Sequence, residues 1–323
     1  MSNQQPETTG SHGVRHVEVE EDYTDQRIDN YLLRFLKGVP KSRIYRIIRK
    51  GEVRLNGKRI KPDARLKAGD QIRIPPIRVS ESVDSRNYIL EKNIEKTIIY
   101  ESNVMLIINK PSGIAVHGGS GLSAGVIESL RQARPQDKHL ELVHRLDRGT
   151  SGCLMIARKR SYLKLLQAEL HNKRQLKKIY RVIVHGKWPS RKQHINAPIL
   201  KNLLQSGERV SRVQEGGKES ITEYRTDSTS GDYSVLEARP VTGRTHQIRV
   251  HCRHVGHPVV GDDKYGFEDA DRKLEARGYR RLMLHASKLV IPALGGHPPV
   301  QVEAPADDQF QRFVLEVKVK NNN

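Results

Sequence analysis

Apolar residues are scarce over the first twenty positions and then fall into register. Ile28, Tyr31, Leu32, Phe35 and Leu36 recur at helical spacing behind Asp25, whose carboxylate can cap the start, and predict one amphipathic helix. After Gly38-Val39-Pro40, Ser42 is the expected cap of a second helix, with Ile44, Ile47 and Ile48 along one side and Gly51 ending it. Asn56-Gly57, flanked by Glu52–Leu55 and Lys58–Lys61, has the signature of a two-residue hairpin turn, and Gln71–Ile74 reads as a further strand after Gly69-Asp70. Residues 1–20 and the closing asparagines carry no apolar period and are expected to be disordered tails; residues 79–96, mixing serines and charges, read as a linker.

From residue 97 to about 318 the pattern is mixed. Val104–Ile108, Gly152–Ala157, Ile179–Val184 and Tyr233–Ala238 read as strands, and Val126–Ala133, Tyr162–His171 and Arg244–Val255 as helices. Strands predominate without a regular strand-helix-strand alternation. The expectation is an α+β fold: a small basic two-helix-plus-sheet domain at 25–78, then a domain built on a mixed, largely antiparallel sheet at 97–318. In the third of those helices Ile248, Cys252 and Val255 would face the core, with His246, Arg249 and Arg253 on another face.

Charge sharpens this division. The 323 residues carry 57 Lys and Arg against 37 Asp and Glu, a net +20 that favours a polyanionic partner. Asp25–Arg78 alone holds 16 basic and 5 acidic residues, so over half the excess sits in a sixth of the chain. Arg43, Arg46 and Lys50 share one helix face, and no acidic residue interrupts Lys41–Lys50. Such like charges repel one another, and phosphates would neutralise them. There is no apolar run of about 18 residues and no apolar signal-peptide core, so neither membrane insertion nor export is expected. Two distant cysteines, Cys153 and Cys252, support neither a disulfide framework nor a cysteine zinc site, which fits a reducing cytoplasm.

Two segments concentrate chemistry. His144-Arg-Leu-Asp-Arg-Gly-Thr-Ser-Gly152 gathers charges, hydroxyls and turn residues just before an apolar strand; alone, it could be a polar turn in which Asp147 bonds the backbone. Gly243-Arg-Thr-His-Gln-Ile-Arg-Val-His251 supplies a second cluster of cations and donors. Its anion could be a phosphate or Asp147, whose ionised form an adjacent arginine favours. His251, His254 and His257 are spaced like metal ligands, but Gly256 and Pro258 break their helix and no cysteine or carboxylate completes the set, so no metal is expected. His117-Gly-Gly-Ser-Gly lacks the lysine of a phosphate-binding P-loop. Three function classes remain: an RNA-modifying enzyme, a non-catalytic RNA-binding or ribosome-assembly factor, and a metal-dependent RNA hydrolase.

Resemblance ranks them. Asp25-Gln-Arg-Ile-Asp, Pro40-Lys-Ser-Arg and Gly51-Glu-Val-Arg-Leu-Asn-Gly resemble the S4-like RNA-binding module, which implies RNA contacts from Arg27, Lys41, Ser42, Arg43, Arg46, Arg49 and Lys50. His144–Gly152 and Gly243–His251 resemble the signature of the pseudouridine synthases that modify large-subunit ribosomal RNA, as do Asn109-Lys-Pro-Ser-Gly-Ile-Ala-Val-His-Gly118, Lys177-Lys-Ile-Tyr180 and Leu284-His-Ala286. That resemblance implies Asp147 as the essential carboxylate, Tyr180 against the target base, and Arg249 paired with Asp147. It also implies an RNA-contacting group of His144, Arg145, Arg244 and His246, with Arg145 filling the gap left by a flipped base or touching a phosphate. No cofactor or metal is implied. The partner would be ribosomal RNA, free or in assembly intermediates, and the chain a monomer. Whether Asp147 attacks the base, attacks the sugar or takes a sugar proton stays open at this stage.

Overall fold

The computed structural model describes residues 13–36, 39, 41–77, 93–118, 125–172, 175–203 and 209–319. The first twelve residues, most of the expected linker, the glycine-rich stretch after Gly118, the closing asparagines and the side chains of Lys41 and Ser42 lie outside the description. The chain divides into two units: a smaller one made by the described residues up to 77, and a larger one by those from 93, Gly118 apart.

In the smaller unit β1 (Arg15–Glu18), α1 (Ile28–Phe35), α2 (Lys41–Arg49), β2 (Arg54–Leu55) and β3 (Gln71–Ile74) enclose a core of Ile28, Leu32, Ile44, Ile48, Ile72 and Ile74. Both helices present the expected faces, except that Phe35 is exposed, stacked on Tyr31. Asp25 does not cap α1. It sits at φ 69°, two residues ahead of the N-cap Arg27, too early for its carboxylate to reach the first free amides. Asp29 works there instead: it accepts from the Asn30 amide, from both arms of Arg27 and, at 2.5 Å, from the Tyr45 hydroxyl, tying α1 to α2. Because α2 begins at Lys41, Ser42 lies inside its first turn and is not the cap.

The sheet also departs from expectation. Asn56 and Gly57 both take positive φ, as a type I′ turn requires. Yet Lys58–Lys61 forms no strand; only a bridge at Leu55 and Lys58 marks the second arm. That arm has a single apolar residue, Ile60, so it has little to bury. β3, with Ile72 and Ile74 buried, pairs with β2 on one edge and with β1 on the other. Residues 15–18, expected in a disordered tail, are therefore a strand; its ladder is made by backbone groups, which leave no apolar period to read.

The larger unit contains, in order, β4 (Ile98–Glu101), β5 (Met105–Lys110), α3 (Val126–Ala133), β6 (Glu141–Leu142), β7 (Ser151–Ala157), α4 (Arg160–Asn172) and β8 (Lys177–His185). It continues with β9 (His194–Asn196), β10 (Ile199–Leu203), β11 (Arg209–Val213), β12 (Ile221–Ser230), β13 (Tyr233–Pro240), α5 (Gln247–His254), α6 (Glu268–Ala276), β14 (Leu284–Ile291), β15 (Val300–Glu303) and α7 (Asp308–Val319). Ten strands form one sheet with the path β4-β5-β7-β14-β8-β13-β12-β9, β15 extending β14 and β6 extending β7, while β10 and β11 form a separate hairpin. Among the described residues its ladders are antiparallel except for β7 beside β14, where Ser151 faces His285 and Gly152 faces Ala286. A side chain at Gly152, which has φ 105°, would put its Cβ 2.2 Å from the Ala286 carbonyl, so this approach requires glycine. Ile94, expected in the linker, is fully buried in this unit's core. No helix among the described residues is long and apolar enough to cross a membrane.

The helix carrying the second motif starts later than the apolar pattern implies. His246 is left-handed at φ 55°, so α5 begins at Gln247 and not at Arg244. Ile248 and Cys252 are buried as expected, but so are Arg249 and His251. His251 has both nitrogens occupied, Nδ1 with Thr222 Oγ1 at 2.9 Å and Nε2 with the Ala197 carbonyl at 3.1 Å, so it is a core residue. Burial lowers its pKa from 6.5 to about 4, while the Ala197 carbonyl opposes the shift. Between those values the unfolded chain holds the extra proton and the folded chain does not. Stability from this residue is therefore intact above pH 6.5 and is lost as the pH falls toward 4. His251→Gln is expected to lower stability at pH 7 but to flatten the loss in denaturant titrations from pH 7 to 4.5 by up to about 1.4 kcal/mol per pH unit, one proton's worth. An unchanged slope would place the titrating group elsewhere.

Candidate active site

The loop between β6 and β7 carries Asp147 and is pinned on both sides. On one side Lys110, at the end of β5 and fully buried, donates to the carbonyls of Pro111, Ile114 and Arg148 at 2.8, 2.8 and 3.2 Å. The Gly113 amide also donates to the Arg148 carbonyl, and Ser112 Oγ to the Gly149 carbonyl. Burial takes the Lys110 ammonium down to about 7, with nearby Arg281 acting in the same sense. On the other side Ser151 Oγ lies 2.7 Å from both His285 Nδ1 and Arg281 Nη2, and Arg281 also pairs with Asp307. Leu146 is buried between these supports.

His144 belongs to the same scaffolding. Its Nε2 accepts the Met155 amide at 3.1 Å, and burial, followed by the Lys178 charge, lowers its pKa to about 3. A neutral ring with its acceptor already engaged makes no ion pair with a phosphate. His144 thus helps hold the loop, and the same ring also lines the cavity beside Asp147.

Asp147 is the exposed end of this arrangement, with about a fifth of its side chain accessible. Arg249 Nη1 lies 3.4 Å from its Oδ2, and His246 Nε2 3.8 Å from its Oδ1. The strong partner of Arg249 is another residue. Asp262, wholly buried, accepts from Nε at 2.7 Å and Nη2 at 2.6 Å, a bidentate geometry, while Nη2 also reaches Asp263 at 3.0 Å. Burial disfavours the Arg249 charge, but the Asp262 hydrogen bonds and the surrounding carboxylates reverse this and hold its pKa above the ordinary value. Two of the three guanidinium nitrogens are thus committed to a fixed carboxylate, and the third is left for Asp147. The Asp262 turn is closed by the Lys264 and Tyr265 amides on its Oδ1.

Asp147, His246 and Arg249 line a cavity of about 680 Å³ with Tyr180, Lys178, Arg145 and Arg244. Tyr180 stands on β8, opposite Ala238 of β13, and is largely buried. Burial, and then the Asp147 carboxylate, push its phenol above the usual value, so it stays un-ionised. Burial lowers the pKa of Lys178. Arg145 is exposed at the cavity, whereas Arg244 is half-buried and donates to the Glu219 carbonyl. Arg253 turns away from this group and covers Phe267. In the smaller unit Arg46, Arg49 and Lys50 are exposed and Arg43 half-buried, while Arg27 is committed to Asp29.

Asp262, Tyr265, Lys110 and Arg281 were not singled out by sequence reasoning. The available signal was the acid pair Asp262-Asp263 between Gly261 and Gly266 in an otherwise basic stretch. A carboxylate at a cavity of one nucleotide's scale, with cations and an un-ionised phenol in the same lining, can act on a bound base as nucleophile or base.

Comparison with known proteins agrees with this architecture. A family model described as RNA pseudouridylate synthase matches residues 104–254, which include Asp147, Tyr180 and Arg249, and an S4 domain model matches residues 26–72. The chain belongs to the RNA pseudouridylate synthase family and is an RNA pseudouridine synthase with an S4 domain ahead of its catalytic unit. It is 48% identical over 318 residues to ribosomal large subunit pseudouridine synthase C of Escherichia coli O157:H7, covering 96% of this chain and 98% of that one. The protein of the same name from Yersinia pestis is 48% identical over 308 residues, 94% of this chain and 96% of its own. Human RNA pseudouridylate synthase domain containing 4 shares the fold, with a TM-score of 0.59 and 23% identity over 72% of this chain and 97% of that one. Human RNA pseudouridylate synthase domain containing 1 aligns with a TM-score of 0.54 and 25% identity over 69% and 94%.

The Arg249 geometry carries a test. Asp262→Ala strands a buried guanidinium and is expected to cost about 3–5 kcal/mol in urea denaturation. Asp263→Ala removes an exposed partner of the same cation and should cost less than about 1 kcal/mol. Equal losses from the two would show that the bidentate pair is not what holds Arg249.

Proposed function

We propose that this enzyme converts specific uridines of large-subunit ribosomal RNA to pseudouridine, free or in assembly intermediates, with Asp147 as its essential carboxylate and the target base flipped into the cavity. The observation that carries the reading is the placing of Asp147: it is the accessible carboxylate at the cavity, beside Arg249 but not tightly clamped by it. The names of the 48% identical relatives supply the RNA class.

The chemistry fits one carboxylate. The bond between C1′ of the ribose and N1 of uracil breaks, the uracil turns, and a new bond forms from C1′ to C5, after which the C5 proton leaves to solvent and N1 takes one up. A second free carboxylate could activate water and trap the detached state as a hydrolysed sugar. Here the other carboxylates near Asp147 lie outside the cavity lining: Asp262 is locked on Arg249 and two backbone amides, and the exposed Asp263 bonds the same guanidinium. Tyr180, held as a phenol, offers a ring for stacking against the base. Arg145 stands exposed at the cavity, where it can replace a flipped base or take a phosphate, and Arg244 adds positive charge there. All of these steps stay within one nucleotide, so no cofactor or metal is called for. The exposed cations of α2 would hold RNA phosphates, and the chain acts as a monomer.

Asp147→Asn is expected to abolish isomerisation, read as tritium release from uridine labelled at C5, while changing RNA affinity only a few-fold. Residual activity above a few per cent would remove Asp147 from its role. Replacing Lys41, Arg43, Arg46, Arg49 and Lys50 together with glutamine tests the smaller unit. At roughly 0.7–0.9 per lost phosphate contact, the slope of log K against log salt should flatten by about 3 to 4. An unchanged slope on ribosomal RNA fragments would make the S4 domain a partner-binding unit instead.

A further inference from the structure

Behind His246, on the side away from Asp147, stands Tyr265. Its hydroxyl oxygen is 2.8 Å from His246 Nδ1 and accepts the Ser211 backbone amide at 3.1 Å. Its ring meets the His246 ring edge-on, with centroids 5.6 Å apart, and the Arg249 guanidinium carbon lies 5.1 Å from its centre. The imidazole thus bridges Tyr265 at Nδ1 and Asp147 at Nε2. Ser211 lies on β11, opposite Lys201 of β10, so the β10–β11 hairpin is hydrogen-bonded into the back of the site.

The hydrogens follow from counting donors and acceptors. The Tyr265 oxygen already accepts from an amide, so its own proton needs an acceptor, and Nδ1 of His246 is the one at hydrogen-bond distance. A neutral imidazole that accepts at Nδ1 carries its hydrogen on Nε2, the atom turned toward Asp147. We propose that Tyr265 is a positioning residue that fixes the tautomer of His246, so that a neutral Nε2–H donor faces Asp147 and the base beside it. The proposal rests on Asp147 being the reacting carboxylate. A neutral donor orients that carboxylate without competing for its charge, whereas an imidazolium would pair with it and blunt it.

The surroundings of His246 leave room for such control. Burial disfavours its charged form; Asp147 and Asp262 favour it, while Arg249 and Lys264 oppose it, and the net shift is downward. Burial also keeps the Tyr265 phenol un-ionised, so its proton is available to donate. With acids and bases on opposite sides of the balance, one hydrogen bond at Nδ1 decides which form of the ring is held.

Tyr265→Phe removes the hydroxyl and keeps the ring. Without its donor the imidazole should take a proton more readily, so the acidic limb of kcat should move up by about one pH unit. The loss should be about tenfold near pH 6 and much smaller near pH 8, on the scale of a single hydrogen bond. Nitrogen-15 spectra of the histidine rings, with His246 assigned by its disappearance in His246→Gln, should show hydrogen on Nε2 in the wild-type enzyme and a mixture of tautomers in Tyr265→Phe. In a His246→Gln background, where the amide cannot titrate, adding Tyr265→Phe should leave the pH profile unmoved. A wild-type ring protonated on Nδ1, or a Tyr265→Phe enzyme with unchanged ring shifts and pH profile, overturns the proposal. Asp147→Asn separates the two readings. If that variant keeps activity, the role of Asp147 falls, and the ring-nitrogen spectra still decide the tautomer.

Discussion

Arg249 carries a permanent charge in a place that excludes most water, and the catalytic unit is arranged to compensate it. Three carboxylates share the guanidinium, but not equally. Asp262 takes the parallel pair of hydrogen bonds, Asp263 shares one of the same nitrogens from an exposed position, and Asp147 meets the remaining nitrogen at 3.4 Å. This inequality is what lets one cation serve two ends. The tight pair overcomes the desolvation of Arg249 and fixes its position, while the loose one places a positive charge beside Asp147 without immobilising both of its oxygens. A guanidinium suits the task because its donors lie in a rigid plane with fixed directions, which a lysine ammonium does not offer.

A fixed cation is useful only if the carboxylate opposite is fixed too. Asp147 owes its place to neighbours that never reach the cavity: the Lys110 ammonium gathering carbonyls below the loop, and the Ser151 hydroxyl held by Arg281 and His285. Both supports depend on strand pairing. Lys110 ends β5 opposite Gly152, and Ser151 begins β7 where that strand lies parallel to β14. A side chain at Gly152 would push β14 away and open the Ser151 support, so the backbone geometry of the sheet and the chemistry of the loop are one constraint. Mutations in this layer are thus expected to affect rate and stability together.

The basic smaller unit is governed by a different balance. Its core is small, and its internal polar pairing centres on Asp29, which holds Arg27 and Tyr45 together. The exposed arginines of α2 gain nothing from that core. Their repulsion is tolerated because the face is solvated, and bound phosphates would relieve it.

Much of this protein is legible in one dimension. The apolar periods of α1 and α2, the buried run of β7, the positive-φ turn at Asn56-Gly57 and the charge asymmetry are local properties, so the sequence alone determined them. The two charged motifs could also be recognised, because Asp147 and Arg249 each sit in a dense run of turn and donor residues. What failed in sequence was pairing. β1 has no apolar period, yet β3 recruits it through backbone hydrogen bonds; Lys58–Lys61 looks like a hairpin arm, yet has too little to bury. Asp25 stands where a cap is expected, but a left-handed backbone carries it out of reach. Above all, nothing local marks Asp262 as the partner of Arg249, Tyr265 as the neighbour of His246, the Met155 amide as the partner of His144, or His251 as a core ring. A side chain's partner depends on which strands lie side by side, and a histidine's charge depends on what buries it, so only the tertiary structure could decide these.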